Sequence, residues 1–164
     1  MTNVGFCGGS EVRELGPASD MKVFFSCIDL AFRTRPVKDS TLLTDRLYRR
    51  YLRLKELDAA AAVLDEAREI LSAISSNDID WKTMGLESAT TRLDTSKPRV
   101  ADVLYHHLKG ARDIIDNAAG YQKRFKEYRP VMTIISDLPR LIIDERRPLA
   151  EYDALQGQPI WLRS

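Results

Sequence analysis

The stretch Leu57-Asp-Ala-Ala-Ala-Ala-Val-Leu-Asp-Glu-Ala-Arg-Glu-Ile-Leu-Ser-Ala-Ile74 decides how this chain is read. Leu57, Ala60, Leu64, Ala67, Leu71 and Ile74 recur at helical spacing and share one face. Glu56, Asp58, Asp65, Glu66 and Glu69 fall on the exposed side. Such a helix buries its apolar stripe in a core and turns a row of carboxylates to solvent or to a partner.

Upstream, residues 40–54 read as another amphipathic helix, with Leu43, Leu47, Tyr51 and Leu54 as its stripe and Arg46, Arg49, Arg50 and Arg53 opposite. The short connection predicts an antiparallel helical hairpin, in which the basic and acidic faces could complement each other. Two solvated faces are the commoner arrangement, because exposed pairs contribute only about 0–1 kcal/mol. Before that, Met21, Phe24, Phe25, Ile28, Ala31 and Phe32 predict a first helix, capped by Ser19 or Asp20 and closed by Pro36. Asn3 to Cys7 reads as a strand, Gly8-Gly9 as a turn, Ser10 to Leu15 as a second strand, and Gly16-Pro17 ends the unit.

Downstream, Ser75 to Lys97 is irregular, with Trp81 expected to plug an edge of the core. Ser96-Lys97-Pro98 opens the longest predicted helix, whose stripe runs through Val100, Leu104, His107 or Leu108, Ala111, Ile115, Ala118 and Phe125. Val131 to Ile135 is β-branched and strand-like. Leu141 to Ile143 suits a strand or a short helix end. Pro148 to Leu155 suits a helix stopped by Gly157, and Pro159 to Leu162 a closing strand. These elements predict one α+β domain over residues 1–164, with a central bundle of about four helices and a small sheet formed from the chain termini.

Of the 164 residues, 44% are hydrophobic and 30% charged, and the net charge is +1, so no global field favours nucleic acid or membrane. Cys7 and Cys27 are expected to be free thiols, Cys27 within an apolar helical pattern. Met1 to Gly9 lacks the basic start and apolar run of a secretory signal, and no run reaches the roughly 20 apolar residues that span a bilayer. A cytoplasmic location is the expectation.

Little in the sequence suggests catalysis, a cofactor or a metal. Gly5, Gly8 and Gly9 match neither nucleotide-binding fingerprint. There is no nucleophile elbow and no spaced Cys/His set. His106 and His107 point about 100° apart on a helix, a poor metal pair. His107 falls near the apolar stripe, where a satisfied or half-buried ring is expected. Asp65-Glu66 and Asp144-Glu145 could be read as acid–base pairs, but solvated surface charge is the default. Arg99 and His106, seven apart with Asp102 between, would share one helical face and resemble the catalytic pair of the HEPN ribonucleases. That resemblance implies an arginine that holds a phosphate and a histidine that moves a proton. Val100 departs from the polar residue that usually follows the arginine. The competing reading is an exposed Asp102–His106 contact.

Phe24-Phe-Ser-Cys-Ile-Asp-Leu-Ala-Phe-Arg-Thr-Arg-Pro36 and Leu43-Thr-Asp-Arg-Leu-Tyr-Arg-Arg-Tyr-Leu52, with Glu56-Leu-Asp-Ala59, Ile79-Asp-Trp81, Glu151-Tyr-Asp-Ala-Leu155 and Pro159-Ile-Trp-Leu162, resemble immunity proteins of bacterial contact-dependent growth inhibition and related polymorphic toxin systems. The resemblance implies a cytoplasmic, non-enzymatic protein that binds the C-terminal toxin domain of its system one-to-one. Many such toxins are nucleases, often acting on tRNA. A nuclease site holds phosphates and is basic, so carboxylates are the expected contact groups. One candidate surface is Asp58, Asp65, Glu66 and Glu69. The other, preferred for its short elements and turns, is Asp137, Asp144, Glu145, Glu151 and Asp153. A helical ribonuclease and a helical adaptor subunit are the alternatives.

Overall fold

The N-terminal hairpin is built as the glycines and β-branched residues dictate. The structure, a computed structural model, describes residues 3–136, 144–145 and 159–163. Strand β1 (Asn3–Gly8) pairs antiparallel with β2 (Glu11–Pro17), placing Phe6 opposite Arg13 and Cys7 opposite Val12. Gly9 turns the chain at φ 58°, a left-handed conformation that costs glycine little. The Asn117 side chain accepts the Ser10 N–H there at 2.9 Å.

On the other side of β1 lies β4 (Met132–Ser136), also antiparallel, with Phe6 opposite Ile134. A two-residue strand, β3 (Tyr51–Leu52), pairs with the outer edge of β4, so the sheet order is β2-β1-β4-β3. The fold is therefore α+β, and its sheet takes strands from the chain ends and from mid-chain. The pleat sorts side chains by alternation. Val4, Phe6, Leu52, Met132 and Ile134 join the main core, whereas Cys7, Tyr51, Val131 and Ile135 form a second cluster.

Helix α1 (Ala18–Thr34) leaves β2 without a loop and buries Met21, Val23, Phe24, Phe25, Ile28 and Ala31. The expected cap at Ser19 or Asp20 is corrected: Pro17 occupies that position. Because helical geometry begins at Ala18, both polar residues lie inside the first turn. Asp20 instead points inward, fully buried, and accepts hydrogen bonds from the Thr91 hydroxyl (2.6 Å) and the Arg92 N–H (2.8 Å). That carboxylate ties the irregular 75–97 segment to α1. Trp81, partly buried against the core as expected, donates its indole N–H to the Ser76 carbonyl at 3.1 Å.

The helix predicted over residues 40–54 is shorter and of another kind. A wide π-helical turn covers Leu42–Leu47 and buries Leu43 and Leu47, and helical structure ends at Arg49. Tyr51 and Leu52 then straighten into β3, where β4 offers backbone partners and the Thr133 hydroxyl donates to the Arg50 carbonyl at 3.0 Å. A short 3-10 turn (Leu54–Glu56) leads into α2 (Leu57–Ser72), whose apolar face is buried as its spacing demands.

The long helix expected from Ser96 begins later and in two pieces, α3 (Val100–Val103) and α4 (Tyr105–Arg124). Ser96 instead donates its backbone N–H to the Asp94 carboxylate at 3.0 Å, closing a local turn. Arg99 is extended (φ −117°, ψ 152°), and fully buried Leu104 steps out of helical geometry at ψ 13°. Phe125 is not a core residue: it caps α4, stays exposed and packs on Tyr121 at 4.8 Å.

The expected closing strand Pro159 to Leu162 is replaced by a 3-10 turn, Ile160–Arg163. Buried Trp161 sets that geometry, donating its indole N–H to the Tyr48 carbonyl at 2.8 Å. The elements expected at Leu141 to Ile143 and Pro148 to Leu155 lie outside the described residues. Cys7 and Cys27 are buried, and burial pushes their thiols up to about 11 and about 12. Among the described residues no helix is long and apolar enough to cross a membrane.

Candidate functional site

On α2 the buried stripe fixes where the acids point. With 100° per residue, Asp58, Asp65 and Glu69 fall within about 40° of one another, one line along the outside, with Glu66 beside it. All four are exposed. Asp65 receives Arg112 from α4 at 3.2 Å, and Glu69 receives Arg35 from the end of α1 at 3.7 Å. The two carboxylate side chains remain 60% and 73% exposed, so solvent screens both pairs and leaves the acids available to a partner. Arg112 also bonds Asp116, which extends the charged surface onto α4. The arginines of residues 46–53 do not cover this face. Arg46 meets Glu56 at 3.3 Å and Arg49 meets Asp45 at 3.6 Å.

The second expected surface is corrected where it is described. Asp144 is buried and accepts the Arg129 N–H at 2.6 Å. Glu145 is 17% exposed, accepts the Leu54 N–H at 2.8 Å and receives Arg129 Nε at 3.1 Å. Both carboxylates satisfy backbone donors of neighbouring segments, so they are structural clamps and not solvated charges. Asp137, Glu151 and Asp153 lie outside the described residues.

Arg99 and His106 do not share a helical face. Arg99 precedes α3 in extended geometry and bridges to Ser75, and the step at Leu104 separates it from α4. Nor does Asp102 hold His106: its carboxylate accepts the Arg99 backbone N–H at 3.3 Å. His106 is exposed, its ring edge-on to Tyr105 at 5.3 Å.

A cleft of about 730 Å³ opens between β2, residues 92–98 and the α3–α4 step. Leu15, Leu93, Pro98 and Val103 supply apolar lining, and Arg13, Arg92, Lys97 and Lys109 supply cations. Three of those cations already hold carboxylates. Arg13 binds Glu11 (2.9 Å) and Asp113 (3.2 Å), Arg92 binds Glu14 (2.9 Å), and Lys109 binds Asp113 (2.8 Å). The hydrogen bond from Lys109, then that from Arg13, holds Asp113 below the usual carboxylate range.

His107 forms part of the cleft wall and is 2% exposed. Its ring lies 5.5 Å from that of Phe24, and neither ring nitrogen has a hydrogen-bond partner. Burial, helped by the charge of His106, pushes its pKa down to about 4. The expectation of a satisfied or half-buried ring is thus corrected. The cleft was not legible in the sequence because three separated segments build it. Only the adjacent histidines marked its position. Among the described residues no cluster of metal-ligating side chains occurs.

Compared with family models, curated proteins and solved structures, the chain finds no match.

Proposed function

We propose that this chain is an immunity protein that binds one toxin domain and blocks it, and that the outer face of α2 makes the charged part of the contact. The line of exposed carboxylates on a helix whose other face is locked in the core carries this reading. A rigid element presents Asp58, Asp65, Glu66 and Glu69 without ordering a loop, so little conformational entropy is lost on binding. The likeness of residues 24–36 and 43–52 to immunity proteins supplies the partner class. A nuclease toxin, with tRNA-cutting enzymes included, offers the basic surface that such a line complements. The protein acts in the cytoplasm, one-to-one, with no cofactor and no nuclease activity of its own.

Co-expression with the toxin domain encoded beside this chain tests the reading. Growth rescue and a stable complex are expected. Asp58→Lys with Asp65→Lys and Glu69→Lys should slow association and weaken the complex most at low salt, because rim charges act on capture. A carboxylate fully buried at the contact would instead cost about 2–5 kcal/mol when truncated. Unchanged affinity and unchanged salt dependence in the folded triple variant would overturn the α2 contact. Failure of the wild-type chain to rescue growth would overturn the immunity reading. RNA cleavage by the pure chain, lost in Arg99→Ala or His106→Ala, would do the same in favour of an enzyme.

A further inference from the structure

We infer that the exposed end of α4 is a contact for single-stranded nucleic acid, whose bases stack on an aromatic cluster and whose phosphates meet the cations beside it. The chain builds the cluster locally. The Phe125 N–H donates to the Tyr121 carbonyl at 2.8 Å as α4 ends, and the Tyr128 N–H donates to the Phe125 carbonyl at 3.0 Å in the turn that follows. Those two bonds bring three rings together: Tyr121 lies 4.8 Å from Phe125 and 5.7 Å from Tyr128. Phe125 is 37% exposed, and both tyrosines are half-buried. A single exposed apolar side chain is ordinary. Three clustered rings among cations are the composition of a stacking platform for bases.

Charge chooses the partner. Lys123, Arg124 and Lys126 flank Phe125 in the chain, all three are exposed, and none makes an ion pair among the described residues. The Arg124 guanidinium lies 5.4 Å from the centre of the Phe125 ring, so cation and ring offer one composite surface. Glu127 is the single acid from residue 120 to residue 129, and Asp116, farther back on α4, is held by Arg112. Lys123 and Arg124 also suit the negative end of the helix dipole. That role accounts neither for Lys126, which lies beyond the helix, nor for a phenyl ring left in solvent. Each nucleotide brings both complements, a flat π face and a fixed anion. An acidic protein segment brings only the second. A bilayer needs a continuous apolar face to bury, and Gln122, Lys123, Arg124, Lys126 and Glu127 interrupt this one. The site shares no residue with the acidic line of α2, so it stands or falls separately from the proposed toxin contact.

Fluorescence anisotropy tests the contact, with end-labelled oligouridylate and oligothymidylate of about twelve nucleotides titrated by the whole chain at about 50 mM salt. A single strand should bind, and its affinity should fall with salt at a log–log slope between about −1.4 and −2.1, as two or three neutralised phosphates require. Binding by the RNA alone or by the DNA alone identifies the sugar that the site accepts. Phe125→Ala, a change at an exposed position, should weaken binding about fivefold or more while retaining the circular dichroism spectrum. Lys123→Gln with Lys126→Gln should flatten the salt slope. The inference is overturned if neither strand binds at this salt, or if Phe125→Ala binds as tightly as the wild type. It is equally overturned if a thymidylate–adenylate duplex, whose bases are already stacked, binds as tightly as oligothymidylate. Equal binding of polyglutamate or of phosphatidylserine vesicles would overturn it too, the patch then being a general anion surface.

Discussion

A neutral imidazole sealed against Phe24 takes up a proton later than it would in the unfolded chain. His107 is lowered to about 4 by burial, whereas an unfolded histidine titrates near 6.5. Between those values the unfolded state binds more protons, so stability falls with falling pH. The contribution is complete above about pH 6.5 and is lost progressively towards pH 4, on the order of 3 kcal/mol in all. Urea unfolding followed from pH 7.5 to pH 4.5 should show this slope, and His107→Phe should remove most of it. A slope identical in the two proteins would mean that the ring is not sealed. Asp20 acts through its two hydrogen bonds, which hold the 75–97 segment against α1. Asp20→Ala leaves the Arg92 N–H and the Thr91 hydroxyl without that acceptor, and should cost about 2–4 kcal/mol by denaturant unfolding. Loss within experimental error would place the tie elsewhere.

At the scale of elements, the two acidic surfaces offered by the sequence, of which the C-terminal one was preferred, separate by what their carboxylates touch. Those of α2 meet only screened guanidinium groups. Glu66→Lys with Glu69→Lys should therefore shift stability by less than about 1 kcal/mol. Glu145 clamps the Leu54 N–H and Arg129. Glu145→Ala should cost about 1–3 kcal/mol, because a half-buried backbone donor loses its acceptor. Thermal melts of both variants side by side decide the matter, and the reverse order of effects would contradict the clamp. The same logic explains why the helix predicted over 40–54 stops early. Tyr51 keeps the stripe spacing of Leu43 and Leu47, yet β4 offers its backbone a sheet partner and the second cluster takes its ring. Helical propensity there is a weak preference that tertiary pairing overrides.

Across the whole molecule one core cluster gathers residues from β1, α1, α2, α3, α4 and β4, and Trp161 belongs to it. Trp81 packs against that cluster from the 75–97 segment. The two indoles therefore watch the same core from distant parts of the chain. Their fluorescence and the far-ultraviolet circular dichroism should give coincident urea transitions, as cooperative unfolding requires. Trp81→Phe and Trp161→Phe allow each indole to be followed alone. An earlier transition at Trp161 would show the C-terminal turn to be a separate unit.

The sequence by itself determined what depends on local periodicity. The apolar stripes of α1, α2 and α4, the N-terminal hairpin, the strand at 132–136 and the irregular segment after α2 are legible because each follows from spacing of a few residues or from a turn glycine. Tertiary structure alone decided the rest. Whether a carboxylate is a clamp, as at Asp144 and Glu145, or a solvent-screened charge, as along α2, depends on which backbone donors arrive from elsewhere in the chain. The separation of Arg99 from His106 depends on the step at Leu104. The cleft walled by His107 exists only where β2, residues 92–98 and the α3–α4 step converge. Those contacts join residues up to about a hundred positions apart, as from Arg13 to Asp113, and no local spacing encodes them.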